Sequence, residues 1–290
     1  MKALTTSLII TTYEWPAALD LTLGSAARQS VLPDEIIVAD DGSGPETQRV
    51  VDAWRELIPV PLHHLWQPHE GFRLARSRNR AIARASGEYL VIVDGDMVMH
   101  RHFIADHRLA ARARSFIQGV RLITGSETAD QMLRCRLLDL GIFSPDVQRR
   151  RHCVRSRLLS RLLFFPRTGQ RAIRGCNQAY WKHDLLAVNG FNEAMIGWGR
   201  EDNEIAARLY HRGIVRRNLK FQALAIHLHH PRRAPQGFNP NDYVLNDTLE
   251  RRLTWCERGL DSHLAGLKGR MFGRSAPAMR PSGLRAVERA

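Results

Sequence analysis

Acidic residues follow two of the short apolar runs in the first hundred residues of the chain. Asp40 and Asp41 follow one run, and Asp94-Gly95-Asp96 follows another. Two carboxylates this close can hold one hard divalent cation and leave coordination positions open for phosphate oxygens. No glycine-rich phosphate loop accompanies them, so metal and arginine would have to balance phosphate charge. Each cluster taken alone also fits an ordinary turn, because Asp, Gly and Ser favour turns.

Alternating strand and helix patterns would position these acids. Apolar runs predict strands at 7–12, 35–39, 60–65 and 89–93, separated by helices at 16–29, 46–57 and 74–85. This order indicates βαβ units and an α/β fold with parallel strands. Ligands of such open sheets bind outside the carboxyl ends of the strands. The two acidic clusters and the stretch Thr11-Thr12-Tyr13-Glu14 all fall at such ends, so the sequence predicts one shared crevice.

The charge of the chain favours an anionic partner. Its 290 residues include 43 basic and 29 acidic side chains, for a formal net charge of +14, and nearly all of the basic residues are arginine. Binding of nucleic acid is therefore one alternative interpretation. The acidic strand ends and the lack of a zinc-finger or aromatic RNA-binding signature count against it.

The cysteines and the apolar runs indicate in which cellular compartment the protein resides. Four cysteines lie far apart without paired spacing, which disfavours a zinc site or a disulfide framework and suits a reducing environment. No apolar run reaches the roughly 18 residues that a membrane-spanning helix needs. The first residues lack a secretory cleavage site. We therefore expect a cytoplasmic protein.

The second half of the chain has a different pattern. Residues 133–174 contain 11 arginines and two aspartates, interleaved with Leu-Leu and Phe-Phe pairs. This stretch predicts a basic helical insertion lying on an anionic membrane face, or alternatively a solvated helical pair that covers the sheet. A strand at 174–180, helices at 182–188 and 201–212, and a strand from 221 to 227 or 229 follow. The tail from about residue 260 is predicted to be loosely ordered.

In their order and spacing, several motifs resemble those of family 2 glycosyltransferases of the GT-A fold. On the donor side they are Asp40-Asp41-Gly42-Ser43, the arginine-rich stretch 71–79, Gly87-Glu88-Tyr89 and Asp94-Gly95-Asp96. Residues 190–193 and 197–202 resemble the acceptor half of that fold, as in chondroitin-polymerase and β-1,4-galactosyltransferase-like enzymes. The resemblance implies a Rossmann-like mixed sheet flanked by helices. It also implies a nucleotide-sugar-binding half (1–100), an acceptor-binding half (101–232) and a C-terminal helix with a basic tail (233–290).

On the donor side, the resemblance assigns Thr12, Glu14 and Asp41 to the base and ribose of a nucleotide-diphosphate sugar. Carboxylates suit this role because they accept hydrogen bonds from a uracil N–H or from ribose hydroxyls. Asp94 would contact the ribose or the sugar. Arg76 and Asn79, three apart on one helix face, would reach the diphosphate or the Asp-x-Asp loop.

The helix that carries Arg76 and Asn79 has a plainer interpretation too. Its arginines could simply solvate an exposed face; they are Arg73, Arg76, Arg78, Arg80 and Arg84.

The metal would be Mn²⁺ or Mg²⁺, with Asp96 as a ligand. The resemblance places a further ligand in the histidine segment His227-Leu228-His229-His230. Strand alternation puts His227 and His229 on one face, and we favour His227. A structural or surface role is the alternative for each histidine.

On the acceptor side, we predict Asp202 as the general base of an inverting transfer, opposite the leaving diphosphate. Glu201 would orient acceptor hydroxyls, and Trp198 would offer a stacking face to a sugar. The alternative is helix capping, since acidic residues at a helix start interact favourably with the macrodipole. That position would also lower a carboxylate pKa and weaken the base.

Together these features predict an inverting, metal-dependent glycosyltransferase of the hexosyltransferase type. The donor would be a nucleotide-diphosphate sugar, with UDP favoured, and the acceptor a glycan or lipid-linked molecule of surface polysaccharide or lipopolysaccharide synthesis. Peripheral contact with the inner membrane face is expected, and a nucleic-acid partner is not. A nucleotidyltransferase, which would release pyrophosphate, and a basic nucleic-acid-binding protein are the alternatives.

Overall fold

The first half of the chain alternates strands and helices as predicted. The computed structural model describes residues 4–141, 143–163, 165–231 and 239–264. The elements of this half are β1 (Thr6–Thr12), α1 (Pro16–Ala27), β2 (Glu35–Asp40), α2 (Pro45–Arg55), β3 (Leu62–Trp66), α3 (Leu74–Arg84) and β4 (Tyr89–Asp94). Their ends lie within two residues of the predicted ones. The long, strongly apolar runs therefore specified these elements well.

The second half is built from shorter elements. From residue 97 to 167 they are β5 (Met97–Met99), α4 (Phe103–Ala110), β6 (Ser115–Gln118), β7 (Leu122–Ile123), α5 (Ser126–Cys135), a 3₁₀ turn (Arg150–Cys153), α6 (Arg157–Leu162) and β8 (Pro166–Arg167). They are followed by β9 (Asn177–Trp181), α7 (Lys182–Ala187), α8 (Glu201–His211), β10 (Val215–Asn218), β11 (Ala225–His227) and α9 (Asn241–Glu250). The sequence pattern missed β5, β6, β7, β8 and β10, since strands of two to four residues show no clear period, and it did not predict α4 or α5.

One eight-stranded sheet runs through both halves in the order β3-β2-β1-β4-β9-β6-β10-β8. The strands β3, β2, β1 and β4 are parallel, whereas β9 runs antiparallel to both β4 and β6. The sheet is therefore mixed, as the resemblance implied. Thr12 pairs with Asp40, and Thr11 pairs with Asp94, so the carboxyl ends of three strands lie at one level.

A second, three-stranded sheet has the order β5-β11-β7. Within it His227 pairs with Met97, the residue directly after Asp96. The small sheet thus brings the histidine segment to the end of β4, across 130 residues of sequence.

The core lies on both faces of the large sheet. Alternate residues of each central strand enter opposite clusters: Leu8 and Ile10 pack in one, and Ile9 packs in the other. Arg208 of α8 is fully buried and donates to both carboxylate oxygens of Glu204, at 2.8 and 2.6 Å, and to the carbonyl oxygen of Gly190 at 2.8 Å. Removing one partner of such a buried pair typically costs about 3–5 kcal/mol, so this pair anchors the loop after α7 to α8.

The basic insertion is helical only in part. Between 136 and 174, the described residues contain the 3₁₀ turn, the six-residue α6 and the edge strand β8, with irregular backbone elsewhere. None of the described helices is both long and apolar enough to cross a bilayer. The predicted C-terminal helix corresponds to α9. The tail was predicted to be loose from about residue 260, but Leu260 is fully buried and the Asn189 amide donates to the Asp261 carboxylate at 3.0 Å, so its first residues are packed against the core. The tail beyond residue 264 lies outside the described residues.

Candidate functional site

The turn Asp94-Gly95-Asp96 packs tightly against the end of β1. The Gly95 N–H donates to the Thr11 carbonyl at 2.6 Å, and a Cβ on Gly95 would lie 2.8 Å from that same oxygen. The hydroxyl of Thr11 donates to Asp94 Oδ1 at 3.1 Å. A side chain at position 95 would push the turn away, so the glycine keeps both carboxylates beside the end of β1.

Asp96 lies in a cluster of potential metal ligands with His227 and His230. The Nε2 atoms of His227 and His230 lie 3.6 and 3.3 Å from Asp96 Oδ2, and all three ligand atoms fall within 4.8 Å of one another. The predicted His229 is exposed and is not a member of this cluster. Strand β11 ends at His227, so the two-residue alternation does not extend to His229, and the chain turns His230 back instead.

The burial and the charged neighbours of the Asp96 carboxylate suit a bound cation. Its Oδ1 is buried without a hydrogen-bond partner among the described residues. Burial alone would raise its pKa, but the hydrogen bond from His230 and the charges of His227, His230 and Arg121 hold that pKa below its usual value. A buried carboxylate oxygen without a partner is costly, and a bound cation would satisfy it.

Arg78 of α3 joins the donor and acceptor motifs. Its side chain is 1% exposed, and its guanidinium donates to Asp202 Oδ1 at 2.8 Å and approaches Asp94 Oδ1 at 3.4 Å and Glu201 Oε1 at 3.9 Å. The guanidinium carbon also lies 5.0 Å from the centre of the Phe191 ring. Burial opposes the charge of Arg78, but the three carboxylates keep its pKa above the ordinary value. One buried cation thus binds three acids from distant parts of the sequence.

The sequence interpretation gave Arg78 no role in the site and named it only in the alternative of a solvated helix face. The signal was present in the helix period. The buried positions of α3 include Ala75, Arg78, Asn79 and Ile82, which is the i, i+3, i+4, i+7 pattern of an inward face.

Asn79 has a different role from the predicted one. Its Nδ2 donates to the Phe191 carbonyl and to Glu193 Oε1, both at 2.8 Å, and its Oδ1 accepts from the Phe191 N–H at 2.8 Å. Fully buried and saturated, Asn79 holds the 190–193 segment on α3 and is not placed to bind a donor. Arg76 is half-buried on the same helix, without a hydrogen bond to the described residues.

A strained loop presents the start of α8. Gly197, Gly199 and Arg200 have φ values of 84°, 97° and 77°, in the left-handed region that favours glycine. The Gly197 N–H donates to the Phe72 carbonyl at 2.9 Å, and the Asn239 amide donates to the Trp198 carbonyl at 3.0 Å. The loop backbone is therefore held on two sides, while the Trp198 residue stays 53% exposed.

Burial is the largest cause of the raised pKa values of two acids around Arg78, Glu201 and Asp94. It raises the pKa of Glu201 to about 7, the charge of Asp202 adds to this, and Arg78 opposes it. Burial likewise raises the pKa of Asp94 to about 6 against the charge of Arg78, with Asp96 and Asp202 contributing. For Glu201, the expectation that a helix start lowers the pKa is therefore wrong, because desolvation outweighs the helix dipole.

Asp202 is also held by a close backbone approach. A Cβ on Gly175 would lie 2.4 Å from both of its carboxylate oxygens and 2.7 Å from Arg78 Nη2. Only a glycine allows the segment before β9 to pass this ion pair.

The other predicted donor residues form a neighbouring group at the ends of β1 and β2. Asp41 is buried, and its two carboxylate oxygens accept from Gln67 Nε2 at 2.6 Å and from the Arg73 N–H at 2.9 Å. The Thr12 carbonyl accepts from the Asp41 N–H at 3.1 Å. Glu14 is exposed and accepts from the Gly44 N–H at 2.8 Å. This group links the strand ends to the start of α3, and its contact with a nucleotide stays a prediction.

The family assignment follows from a match over more than half of the chain. The model of glycosyl transferase family 2 matches residues 7–163. The chain belongs to this family. A second model, described as the N-terminal domain of galactosyltransferase, matches residues 159–231 and covers the segment that carries Trp198, Asp202 and His230.

Curated relatives of this family 2 member transfer sugars. It is 28% identical over 244 residues to validoxylamine A glucosyltransferase of Streptomyces hygroscopicus subsp. limoneus, covering 72% of this chain and 48% of the relative. It is 26% identical over 254 residues to chondroitin synthase of Escherichia coli, covering 78% of this chain and 35% of the relative. The chain thus spans half or less of the length of these relatives.

Solved structures place the fold among GT-A glycosyltransferases, as predicted. Staphylococcus aureus TarS 1–349 in complex with UDP superposes with a TM-score of 0.56 at 18% identity, covering 93% of this chain and 72% of that one. The Pyrobaculum calidifontis mannosyltransferase in complex with GDP-Man and Mn²⁺ superposes with a TM-score of 0.54 at 17% identity, covering 96% of this chain and 78% of that one.

The raised pKa of Glu201 predicts a pH-dependent stability in the metal-free protein. A carboxyl group whose pKa rises on folding from 4.5 to about 7 favours the folded state at low pH and loses that contribution as the pH rises through this window. Glu201→Gln should match the wild type at pH 4, below the unfolded pKa, and exceed its free energy of unfolding at pH 8 by on the order of 3 kcal/mol. Urea unfolding at both pH values measures this.

The control for this experiment is Glu257→Gln, at an exposed position. Its free energy of unfolding should differ from the wild type by the same small amount at both pH values. If Glu201→Gln behaves in the same way, Glu201 does not titrate as described.

Proposed function

We propose that the protein is an inverting, metal-dependent glycosyltransferase that moves a sugar from a nucleotide-diphosphate sugar to a hydroxyl of a glycan or lipid-linked acceptor. The observation that carries the proposal is the Arg78 network, which joins Asp94 of the donor motif to Glu201 and Asp202 of the acceptor motif. Acids from the two halves of a transferase site therefore lie within the reach of one side chain. Membership of glycosyl transferase family 2 favours this over a nucleotidyltransferase or a nucleic-acid-binding protein.

Asp202 is the proposed general base. Its carboxylate accepts the proton of the acceptor hydroxyl as the oxygen attacks the anomeric carbon, while the bond from that carbon to the diphosphate oxygen breaks and the diphosphate takes the electron pair. Arg78 holds the carboxylate in one orientation through the 2.8 Å bond to Oδ1. Glu201, with its pKa near 7, is partly protonated at neutral pH, so it can both donate to and accept from acceptor hydroxyls. The exposed ring of Trp198 offers the stacking face.

The proposed metal ligands are Asp96, His227 and His230. One carboxylate and two imidazoles suit Mn²⁺ better than Mg²⁺, which prefers oxygen ligands. The bound metal would stabilise the negative charge that develops on the leaving diphosphate. The presence of Mn²⁺ in the Pyrobaculum calidifontis mannosyltransferase and in GalNAc-T7 supports this choice.

Thr12, Glu14 and Asp41 are the proposed contacts for the nucleoside. Asp41 retains lone pairs beside its two protein donors, because an ionised carboxylate accepts up to about four hydrogen bonds. UDP is the favoured nucleotide, in line with the TarS complex, and the GDP-Man complex makes GDP the comparison to include.

The base assignment predicts a specific loss in Asp202→Asn. The asparagine keeps an oxygen for Arg78 but cannot take a proton, so the rate of sugar transfer should fall by roughly 10²–10⁴-fold. Hydrolysis of nucleotide sugars, in which water replaces the acceptor, should fall similarly. Both are measured by release of nucleoside diphosphate from a panel of UDP- and GDP-sugars with Mn²⁺. The affinity for UDP or GDP, from calorimetry, should change by less than about twofold.

Asp247→Asn, at an exposed position of α9, is the matched control and should keep full activity. Full turnover in Asp202→Asn would refute the base assignment. Release of pyrophosphate in place of nucleoside diphosphate would favour the nucleotidyltransferase.

The metal assignment predicts different effects for two neighbouring histidines. His230→Ala removes a ligand, so Mn²⁺ affinity, measured by electron paramagnetic resonance titration, should fall at least about tenfold. His229→Ala changes an exposed residue outside the cluster and should leave the affinity unchanged. Equal losses in the two variants, or a loss confined to His229→Ala, would contradict the proposed ligand set.

We also propose that the insertion docks on an anionic bilayer. Large apolar side chains are exposed in the described residues 143–165; they are Phe143, Val154, Leu158, Leu159, Leu162, Leu163 and Phe165. Leu158 and Leu162 share one face of α6, and Arg157 and Arg161 lie beside them. Apolar residues bordered by arginines fit the boundary between acyl chains and anionic headgroups, where a lipid-linked acceptor would be presented.

This surface predicts salt-sensitive binding to vesicles that contain phosphatidylglycerol. The double variant Leu158→Asp/Leu162→Asp should lose most of that binding in a sedimentation assay. Leu57→Asp is the matched control, because Leu57 and Leu158 are both 68% exposed. The membrane proposal fails if the wild type does not sediment with anionic vesicles at low salt.

A further inference from the structure

Three arginines from separate segments, Arg121, Arg149 and Arg174, lie close enough for their charges to interact, and Arg121 also acts on Asp96. Gln148, next to Arg149, forms a bridge to β7, in which its N–H donates to the Ile123 carbonyl at 2.8 Å. Arg121 lies just before β7, and its Nη1 is 3.6 Å from Cys176 Sγ, two residues beyond Arg174. The fold therefore brings these residues together from the β6–β7 connection, the residue before the 3₁₀ turn and the segment before β9. We call them the arginine cluster.

The arginine cluster has no ion-pair partner among the described residues, although the charge of Arg121 acts at longer range on the carboxylate of Asp96. Among residues 4–141, 143–163, 165–231 and 239–264, no carboxylate forms an ion pair with any of its three members. The Nε of Arg121 is buried without a hydrogen-bond partner in the same residues. Burial, and then the charges of Arg149 and Arg121, lower the pKa of Arg174. Like charges held together destabilise the fold unless an anion neutralises them.

The arginine cluster adjoins both proposed catalytic features. Gly175, directly after Arg174, is the residue whose Cβ would lie 2.4 Å from the Asp202 carboxylate oxygens. On the other side, the charge of Arg121 acts on the carboxylate of Asp96. An anion bound by these arginines would therefore lie near the base and the metal ligands at once.

The topology places the arginine cluster on the acceptor side of the site. The proposed nucleoside contacts follow β1 and β2, on one side of β4 in the sheet. Two of the cluster's three segments adjoin β9 and β6, on the other side of β4. A group bound there approaches from the direction opposite to the nucleoside.

We infer that Arg121, Arg149 and Arg174 bind an anionic group, a phosphate or a carboxylate, that the acceptor carries close to the hydroxyl that receives the sugar. Guanidinium groups recognise both anions through paired hydrogen bonds, and three of them around one site select charged acceptors over neutral ones. The inference rests on the proposed sugar transfer. The diphosphate of the donor is the other source of the same chemistry, so the test separates the two.

The first arm measures anion binding without metal or nucleotide. Inorganic phosphate is titrated by calorimetry into the wild type, Arg149→Gln/Arg174→Gln and the control Arg134→Gln, which removes one exposed arginine of α5. Arg121 is left intact because of its contact with Cys176. Phosphate should bind the double variant at least about tenfold more weakly than the wild type or the control. Equal binding by all three proteins would overturn the inference.

The second arm separates acceptor from donor. Saturation-transfer NMR should show methyl β-glucuronide binding the wild type about tenfold more tightly than methyl β-glucoside, and the double variant should lose this preference. UDP and GDP, titrated with Mn²⁺, should bind the wild type and the double variant within about twofold of each other. A parallel loss of nucleoside-diphosphate affinity would assign the arginine cluster to the donor and overturn the acceptor role.

The two proposals fail in different ways. A wild type that binds neither UDP nor GDP would refute the proposed function and, with it, the acceptor role of the arginine cluster. A wild type that binds them but does not distinguish the charged from the neutral glycoside would overturn this inference alone.

Discussion

The site depends on one buried guanidinium surrounded by acids. Arg78 is 1% exposed and lies within 4 Å of carboxylate oxygens of Asp94, Glu201 and Asp202. Without it, three acids would face one another in a poorly solvated space, and uncompensated charges there cost several kcal/mol. Because Arg78 and Asp202 are 124 residues apart, the interaction closes the site only when both halves of the chain have folded together. The acids at the strand ends therefore gain their arrangement from a residue on a helix.

In the proposed reaction, the balance of charge around Arg78 means that a cation has to come from elsewhere to stabilise the leaving diphosphate. Burial raises the pKa values of Asp94 and Glu201, and the excess of three carboxylates over one guanidinium adds to this. The guanidinium of Arg78 is occupied by carboxylates, so it is poorly placed to stabilise a leaving diphosphate as well. Positive charge for that purpose has to come from outside the Arg78 network. Asp96, with its unpartnered Oδ1 and two adjacent imidazoles, offers a place for it.

Much of the fold was predictable from the sequence because the central strands carry strong local signals. β1, β2 and β4 contain apolar runs buried on both faces, and the acids that end β2 and β4 lie at the edge where open α/β sheets bind their ligands. The short strands β5, β7 and β11 depend on pairing with one another, which no local pattern records. His229 was grouped with His227 for this reason, because strand alternation was extended past His227, the last residue of β11. Asn79 was misassigned because a motif position does not reveal whether an amide faces a ligand or the backbone of Phe191.

Arginine has three distinct roles in this chain, and burial and partners distinguish them. Arg208 and Arg78 are fully buried and neutralised by acids, so each fixes the relative positions of segments far apart in sequence. Arg157 and Arg161 border exposed leucines, where a long aliphatic stem and a charged end suit a polar–apolar boundary. Arg121, Arg149 and Arg174 fit neither pattern, because they lie near one another and form no ion pair with an acid among the described residues. A high net positive charge alone says little about function, whereas the location of the unbalanced part of it, beside Asp96 and Asp202, points to a charged ligand there.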